Sequence, residues 1–209
     1  MHLRMVRLAG SPEALEGAIS AFDQVSAPVR KLPGCAGIAL LADREGGQAV
    51  VVSYWESEEA LTASNDAAAN ARATTVSRHG LEVLDVEQYE VTHLERRQPL
   101  QPGVATRLVS VQATPDRIDE IQRELRARAV PILTALSGYR SVLQAVNRSN
   151  GKLIAASSWE TAADREASNA QMAGVREYMQ EMTGGSPPQV ENLEVVFADL
   201  GVAAEARPQ

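Results

Sequence analysis

Along the first ninety or so residues the apolar positions alternate between a two-residue and a three-to-four-residue period, and the whole series then starts again. Residues 3 to 9 alternate, with Leu3 and Met5 on one side and Arg4, Val6 and Leu8 on the other, which predicts a strand. Ser11-Pro12-Glu13 supplies an N-cap, a proline at the first helical position and an acid in the first turn. The helix it opens carries Leu15, Ala18, Ile19, Phe22 and Val29 mostly at helical spacing, so one stripe is buried, and Lys31-Leu-Pro33-Gly34 ends it. Two strands follow, residues 36 to 43 and 48 to 55, joined by a Gly46-Gly47 hairpin turn. Ser57-Glu58-Glu59 caps an Ala-rich helix that runs to about Arg78, and a last strand covers residues 81 to 94. The order is β-α-β-β-α-β, that of a ferredoxin-like unit.

The second half repeats this order. Residues 106 to 113 predict a strand, Thr114-Pro115-Asp116 the same cap, proline and acid, and Ile118, Ile121, Leu125, Ile132 and Leu136 the same stripe. Ser137-Gly138 stops that helix, Asn150-Gly151 is a type I′ hairpin signal, and Thr161 with Asp164 forms an approximate capping box. A Gly184-to-Pro188 loop leads to a final strand over 189 to 198. The repeat is also visible residue by residue. Trp159 lies 104 residues after Trp55, and the same offset carries Ser53 onto Ser157, Glu56 onto Glu160, Ser64 onto Ser168, Asn65 onto Asn169 and Arg72 onto Arg176. A fixed-period match of this extent marks an internal duplication. The expected organisation is therefore a first unit over residues 1–95, a proline-punctuated linker over 96–104, a second unit over 105–200 and a disordered tail over 201–209.

A ferredoxin-like unit covers one face of its sheet with helices and leaves the other bare. Here Val50, Val52 and Tyr54 point one way and Val51, Ser53 and Trp55 the other, so both faces call for cover. Two such units packed sheet to sheet within one chain satisfy both, giving an α+β fold of two tandem ferredoxin-like units as an intramolecular, pseudo-dimeric α+β barrel.

Composition narrows the function classes. The formal net charge of −7, with Arg96-Arg97 as the densest basic spot, argues against nucleic-acid and anionic-membrane partners. The single cysteine, Cys35, excludes an intrachain disulfide framework, fits a reducing compartment and reads as a small packed residue after the Pro33-Gly34 turn. The first residues lack the apolar run of a signal peptide and no stretch approaches a membrane span, so a cytoplasmic protein is expected. His2 and His79 have no partner at metal-ligand spacing, and Gly46-Gly47 and Gly184-Gly185 are turn glycines, not phosphate loops. Neither a metal nor a nucleotide cofactor is implied.

Leu32-Pro-Gly34 before a strand, the Asp43-Arg-x-Gly-Gly hairpin and Val-Val-Ser-x-Trp55-Glu-Ser-x-x-Ala60-Leu together resemble the antibiotic biosynthesis monooxygenase family of dimeric α+β barrels, once per half. The resemblance implies a ligand cavity in each half between helices and sheet. It also implies, as one reading, a monooxygenase that uses no cofactor and acts on a small aromatic or quinol-type molecule whose anion itself reduces oxygen. The second reading is a non-catalytic binding or structural protein. In the haem-degrading branch of the family, a Trp on the second helix, a His about ten residues on and a first-strand Asn do the work. The corresponding residues here are Ser64 and Ser168, then Thr74 and Tyr178, with no Asn on either first strand. The chain is expected to be a monomer with pseudo-twofold symmetry or a weak homodimer.

The candidate site residues follow from type and placement. Asn65, Asn169 and His93 are candidates for catalysis; Trp55, Trp159, Arg72, Arg176 and Tyr89 for substrate binding. Each has a plainer alternative. The tryptophans suit a core corner between strand and helix. The asparagines suit a backbone hydrogen bond, and the arginines a solvated helix face. His93, with Tyr89 and Val91 on its side of the strand, suits a packed imidazole. Arg4 and Arg107 sit at matched first-strand positions where a buried charge needs a partner, which Glu90 or Glu194 is placed to supply.

Overall fold

A computed structural model describes residues 1–184 and 187–201. The tail assigned to 201–209 thus lies, from residue 202 on, outside the described residues, as does the middle of the 184–188 loop. The chain divides into two compact units: residues 1–89 with the strand end from 194, and residues 90–193. Each has α+β architecture with antiparallel strand pairs.

The first unit holds β1 (His2–Ala9), α1 (Pro12–Arg30), β2 (Cys35–Asp43), β3 (Gln48–Trp55), α2 (Glu58–Ala63), α3 (Asn65–His79) and the first half of β4 (Glu82–Arg96). The second holds β5 (Ala105–Gln112), a 3₁₀ turn (Pro115–Arg117), α4 (Ile118–Ala135), β6 (Tyr139–Asn147), β7 (Lys152–Trp159), α5 (Ala162–Gln171), α6 (Ala173–Met182) and the start of β8 (Gln189–Leu200). β3 lies between β1 and β2, and β7 between β5 and β6, as the ferredoxin-like order requires. β4 and β8 serve both units: β8 from Glu194 onward pairs with β2, and β4 from Glu90 onward pairs with β6.

Local sequence explains most boundaries. Ser11 accepts from the Ala14 amide at 3.2 Å with Pro12 behind it, so α1 starts where the cap signal predicts. Thr114 makes no such bond, and its proline opens a 3₁₀ turn before α4 instead. The helix expected from Ser57 to Arg78 is two helices. Ser64 turns its hydroxyl back onto Leu61 O at 2.6 Å, and the chain bends there. In the second unit the break comes at Met172.

One glycine fixes each hairpin against the chain entering the neighbouring helical segment. Gly47 (φ 64°) and Gly151 (φ 77°) occupy the left-handed region, and their carbonyls accept from the Gly10 and Ala113 amides at 2.9 and 3.0 Å. A Cβ at either would press on the Gly10 or Ala113 carbonyl oxygen. The cores sit between helices and sheet. Val6, Leu8, Leu15, Phe22, Ile38 and Leu40 build the first, and Ile118, Ile121, Leu133, Val142, Leu153 and Trp159 the second.

Candidate functional site

Each unit encloses a cavity between its helices and the helix-facing side of its sheet, and the two differ in size. In the first unit it is about 80 Å³, bounded by Arg4, Phe22, Leu40, Val51 and Arg72 among others. In the second it is about 300 Å³, bounded by Arg107, Leu125, Gln144, Ala155, Asn169 and Arg176 among others, and it reaches Pro188 and Val190 at the start of β8. Matched positions account for the difference in kind: Phe22 becomes Leu125, Val51 becomes Ala155, and Leu40 becomes Gln144.

Period-two alternation on β1 and β5 turns Arg4 and Arg107 toward the helices, and both are buried. Arg4 donates through Nη2 to Leu61 O (2.8 Å) and Asn65 Oδ1 (2.6 Å), stands 5.8 Å from the Trp55 ring centroid, and leaves Nη1 buried without a partner. Burial, and then the nearby Arg72 charge, hold its pKa below the ordinary guanidinium value. Arg107 donates through Nη1 to Ser168 Oγ and through Nη2 to Arg165 O, each at 2.7 Å. Its pKa is lowered by burial first, then by the charges of Arg165 and Arg176. The expected carboxylate partners are engaged elsewhere: Glu90 pairs with Arg148 at 2.6 Å, and Glu194 lies near Arg44. The serines that stand where the haem-degrading branch has Trp thus serve the backbone and, in the second unit, the arginine.

The other predicted residues fall into place as follows. Arg72 lines the first cavity; Asn169 and Arg176 line the second, with Arg176 donating to Asn169 O (2.7 Å) and Asn169 Nδ2 to Glu166 (2.7 Å). Asn65 is exposed and accepts from Arg4 and from Gln88 (3.1 Å). Trp55 and Trp159, each 0% exposed, sit behind the cavities, and their indole N–H groups donate to Ser53 and Ser157 Oγ at 3.0 and 3.3 Å. Tyr89 donates to Glu87 (2.7 Å), which also pairs with Arg7 (3.1 Å), and burial pushes its hydroxyl pKa up. His93 pairs across the strands with Gln144 and lies outside the residues that line the cavity; burial first, then the Arg126 charge, lower its pKa. Cys35 is half-buried, and burial pushes its thiol pKa up.

One residue escaped sequence reasoning. Gln144 is 1% exposed on β6 between Leu143 and Ala145, lines the second cavity and leaves Oε1 without a hydrogen-bond partner. The signal was present: its repeat partner is Leu40, so a polar residue stands where the duplication has an apolar one. Among the described residues, no group of three or more His, Cys, Asp or Glu is placed to hold a metal ion. No helix among them is long and apolar enough to cross a membrane.

Residues 1–74 match the family model described as antibiotic biosynthesis monooxygenase. That match runs from β1 into α3 of the first unit. An uncharacterized protein of Mycobacterium tuberculosis H37Rv is 23% identical to it over 203 residues, 97% of this chain and 90% of that one. A second from the same strain is 26% identical over 142 residues, 68% of this chain and 60% of that one. Among solved structures, an anthrone oxidase-like protein has a TM-score of 0.69 at 18% identity, covering 100% of this chain and 96% of that one. A haem-degrading enzyme from Listeria monocytogenes has a TM-score of 0.54 at 8% identity, covering 93% and 99%. At these identities the solved structures establish a shared fold.

Proposed function

We propose that the second unit binds a small aromatic molecule in its 300 Å³ cavity and acts on it as a cofactor-independent monooxygenase of the family's type. The observation that carries this is the cavity itself. It is of ligand size, lined mainly by aliphatic side chains, and provided with a few polar groups, Arg107, Gln144, Asn169 and Arg176, on elements held by the fold. The first unit is the structural copy, its smaller cavity bordered by Phe22. The chemistry asks for a desolvated substrate anion that can reduce dioxygen. The buried Arg107 cation, with Arg176 beside it, favours ionisation of a bound phenol or quinol, because an opposite charge within a few ångströms lowers an acid's pKa by about one to three units. Haem chemistry is not proposed, since Ser168 and Tyr178 stand where that branch has its Trp and His.

A second reading, binding without turnover, is favoured by a specific feature. Among the described lining residues there is no Asp, Glu, His, Tyr, Lys or Cys to take up the substrate's proton. Oxygen uptake with a panel of quinols and anthrones separates the two. Turnover that depends on the protein and is lost in Leu125→Trp, which plugs the cavity, supports the oxygenase reading. Ligands that bind across the panel without oxygen uptake support the binding reading.

A further inference from the structure

We infer that the ligand of the second unit is an aromatic anion carrying an acidic oxygen toward Arg107 and Arg176 and a hydroxyl that meets the side-chain amide of Gln144. This rests on the cavity being a ligand site and adds the polarity and direction of what fills it.

The charge argument comes from the lining. Two guanidinium groups border an otherwise mostly apolar cavity, and no described lining residue is acidic. Arg107 is buried and spends both terminal nitrogens on neutral acceptors, Ser168 Oγ and Arg165 O. Its charge is therefore solvated by dipoles but not neutralised. Arg165 and Arg176 add like charge around it; the opposing Glu166 is exposed and held by Asn169 at 2.7 Å. Arg176 uses one nitrogen on Asn169 O, which leaves the rest of its fork for a ligand. Buried cations without a counterion are costly, so an anion is the complement this wall lacks.

Gln144 supplies the second contact and the direction. Its amide is buried with Oε1 unpartnered, and a buried amide oxygen without a donor is an uncommon arrangement that a ligand hydroxyl relieves. A hydroxyl both donates and accepts, so it fits either end of the amide. Strand register places the two contacts at different ends of the cavity. Arg107 pairs with Ser157 on β7, and Gln144 pairs with Ala155, one helix-facing row farther along and two strands across. That is roughly 7 Å along the strands and about 10 Å across them, a span suited to a flat body of two or more fused rings with polar groups at opposite ends. In the first unit Leu40 replaces the amide, so only the second reads both ends.

Calorimetric titration of the full chain with 2-naphthoate, its neutral isostere 2-naphthamide, and 6-hydroxy-2-naphthoate tests the inference. Naphthoate should bind at least about tenfold more tightly than naphthamide, as a charged hydrogen bond to a buried partner provides. Arg176→Gln should bring that ratio near one, while Arg176→Lys, which keeps the charge, should retain part of it. Gln144→Leu, copying the first unit, should weaken the hydroxylated probe about tenfold and leave 2-naphthoate within about twofold. Equal affinity for naphthoate and naphthamide overturns the anion assignment while leaving the cavity as a ligand site. An unchanged hydroxyl preference in Gln144→Leu overturns the role of Gln144, and binding of none of the probes removes the ligand site itself.

Discussion

The asymmetry of the two cavities makes a quantitative statement about stability at one matched pair, Phe22 and Leu125. Phe22 is buried against the core of the first unit, and its ring meets Phe197 edge-on with centroids 5.2 Å apart. Phe22→Ala therefore loses the transfer energy of the ring, leaves a cavity and removes an aromatic pair. Such substitutions cost about 3–5 kcal/mol, of which about 0.5–1.5 kcal/mol belongs to the edge-on contact. The adjoining void of about 80 Å³ means part of the ring already lacks neighbours, so about 3 kcal/mol is the expected value. At about 2–4 °C per kcal/mol for a chain of this size, Tm should fall by about 6–12 °C. Leu125 is only half-buried and borders the larger space, so Leu125→Ala gives up fewer contacts and should cost less than about 2 kcal/mol, below the usual range for a buried leucine. Urea unfolding of both variants, read by circular dichroism, measures the difference. Equal costs at the two positions would mean that the second cavity is packed as tightly as the first, and the reasoning from cavity size would fail.

Two further outcomes follow from single residues. Gly151→Ala should destabilise by at least about 1–2 kcal/mol, because φ of 77° is unfavourable for an L side chain and the new methyl meets Ala113 O; the same urea experiment checks it, and a neutral result would contradict the hairpin geometry. His93 has a folded pKa below its ordinary value, mainly through burial, so the unfolded chain binds the extra proton first on acidification. Its contribution to stability is present above the ordinary histidine range near pH 6.5 and declines as pH falls below it. His93→Gln should flatten the dependence of the urea midpoint between about pH 7 and 5.5, and an unchanged slope would refute this assignment.

Much of this architecture is written locally. The Ser11-Pro12-Glu13 cap, the Gly46-Gly47 and Asn150-Gly151 turns and the alternation around Val50 to Trp55 each reflect a short-range rule, and α1, β2, β3 and β5 stand within a residue or so of their predicted bounds. The 104-residue repeat made the second half readable from the first. What was not legible depended on contacts between distant residues. The bend at Ser64 comes from a hydroxyl choosing a backbone oxygen, which composition does not reveal. Arg4 and Arg107 were recognised as buried charges, but their partners are backbone oxygens, Asn65 and Ser168, not the glutamates that strand order suggested. The cavity volumes arise from many side chains at once, so Phe22, Val51 and Leu40 opposite Leu125, Ala155 and Gln144 were informative only after the fold had brought them together.

The most direct test of the account is a crystal structure of the full chain grown with 2-naphthoate. The account predicts one ligand per chain in the second unit, its carboxylate beside Arg107 and Arg176 and its rings against Leu125 and Val142, with no naphthoate in the first unit. A ligand seated beside Phe22 with the second cavity unoccupied, or bound only on the outer surface, would contradict it.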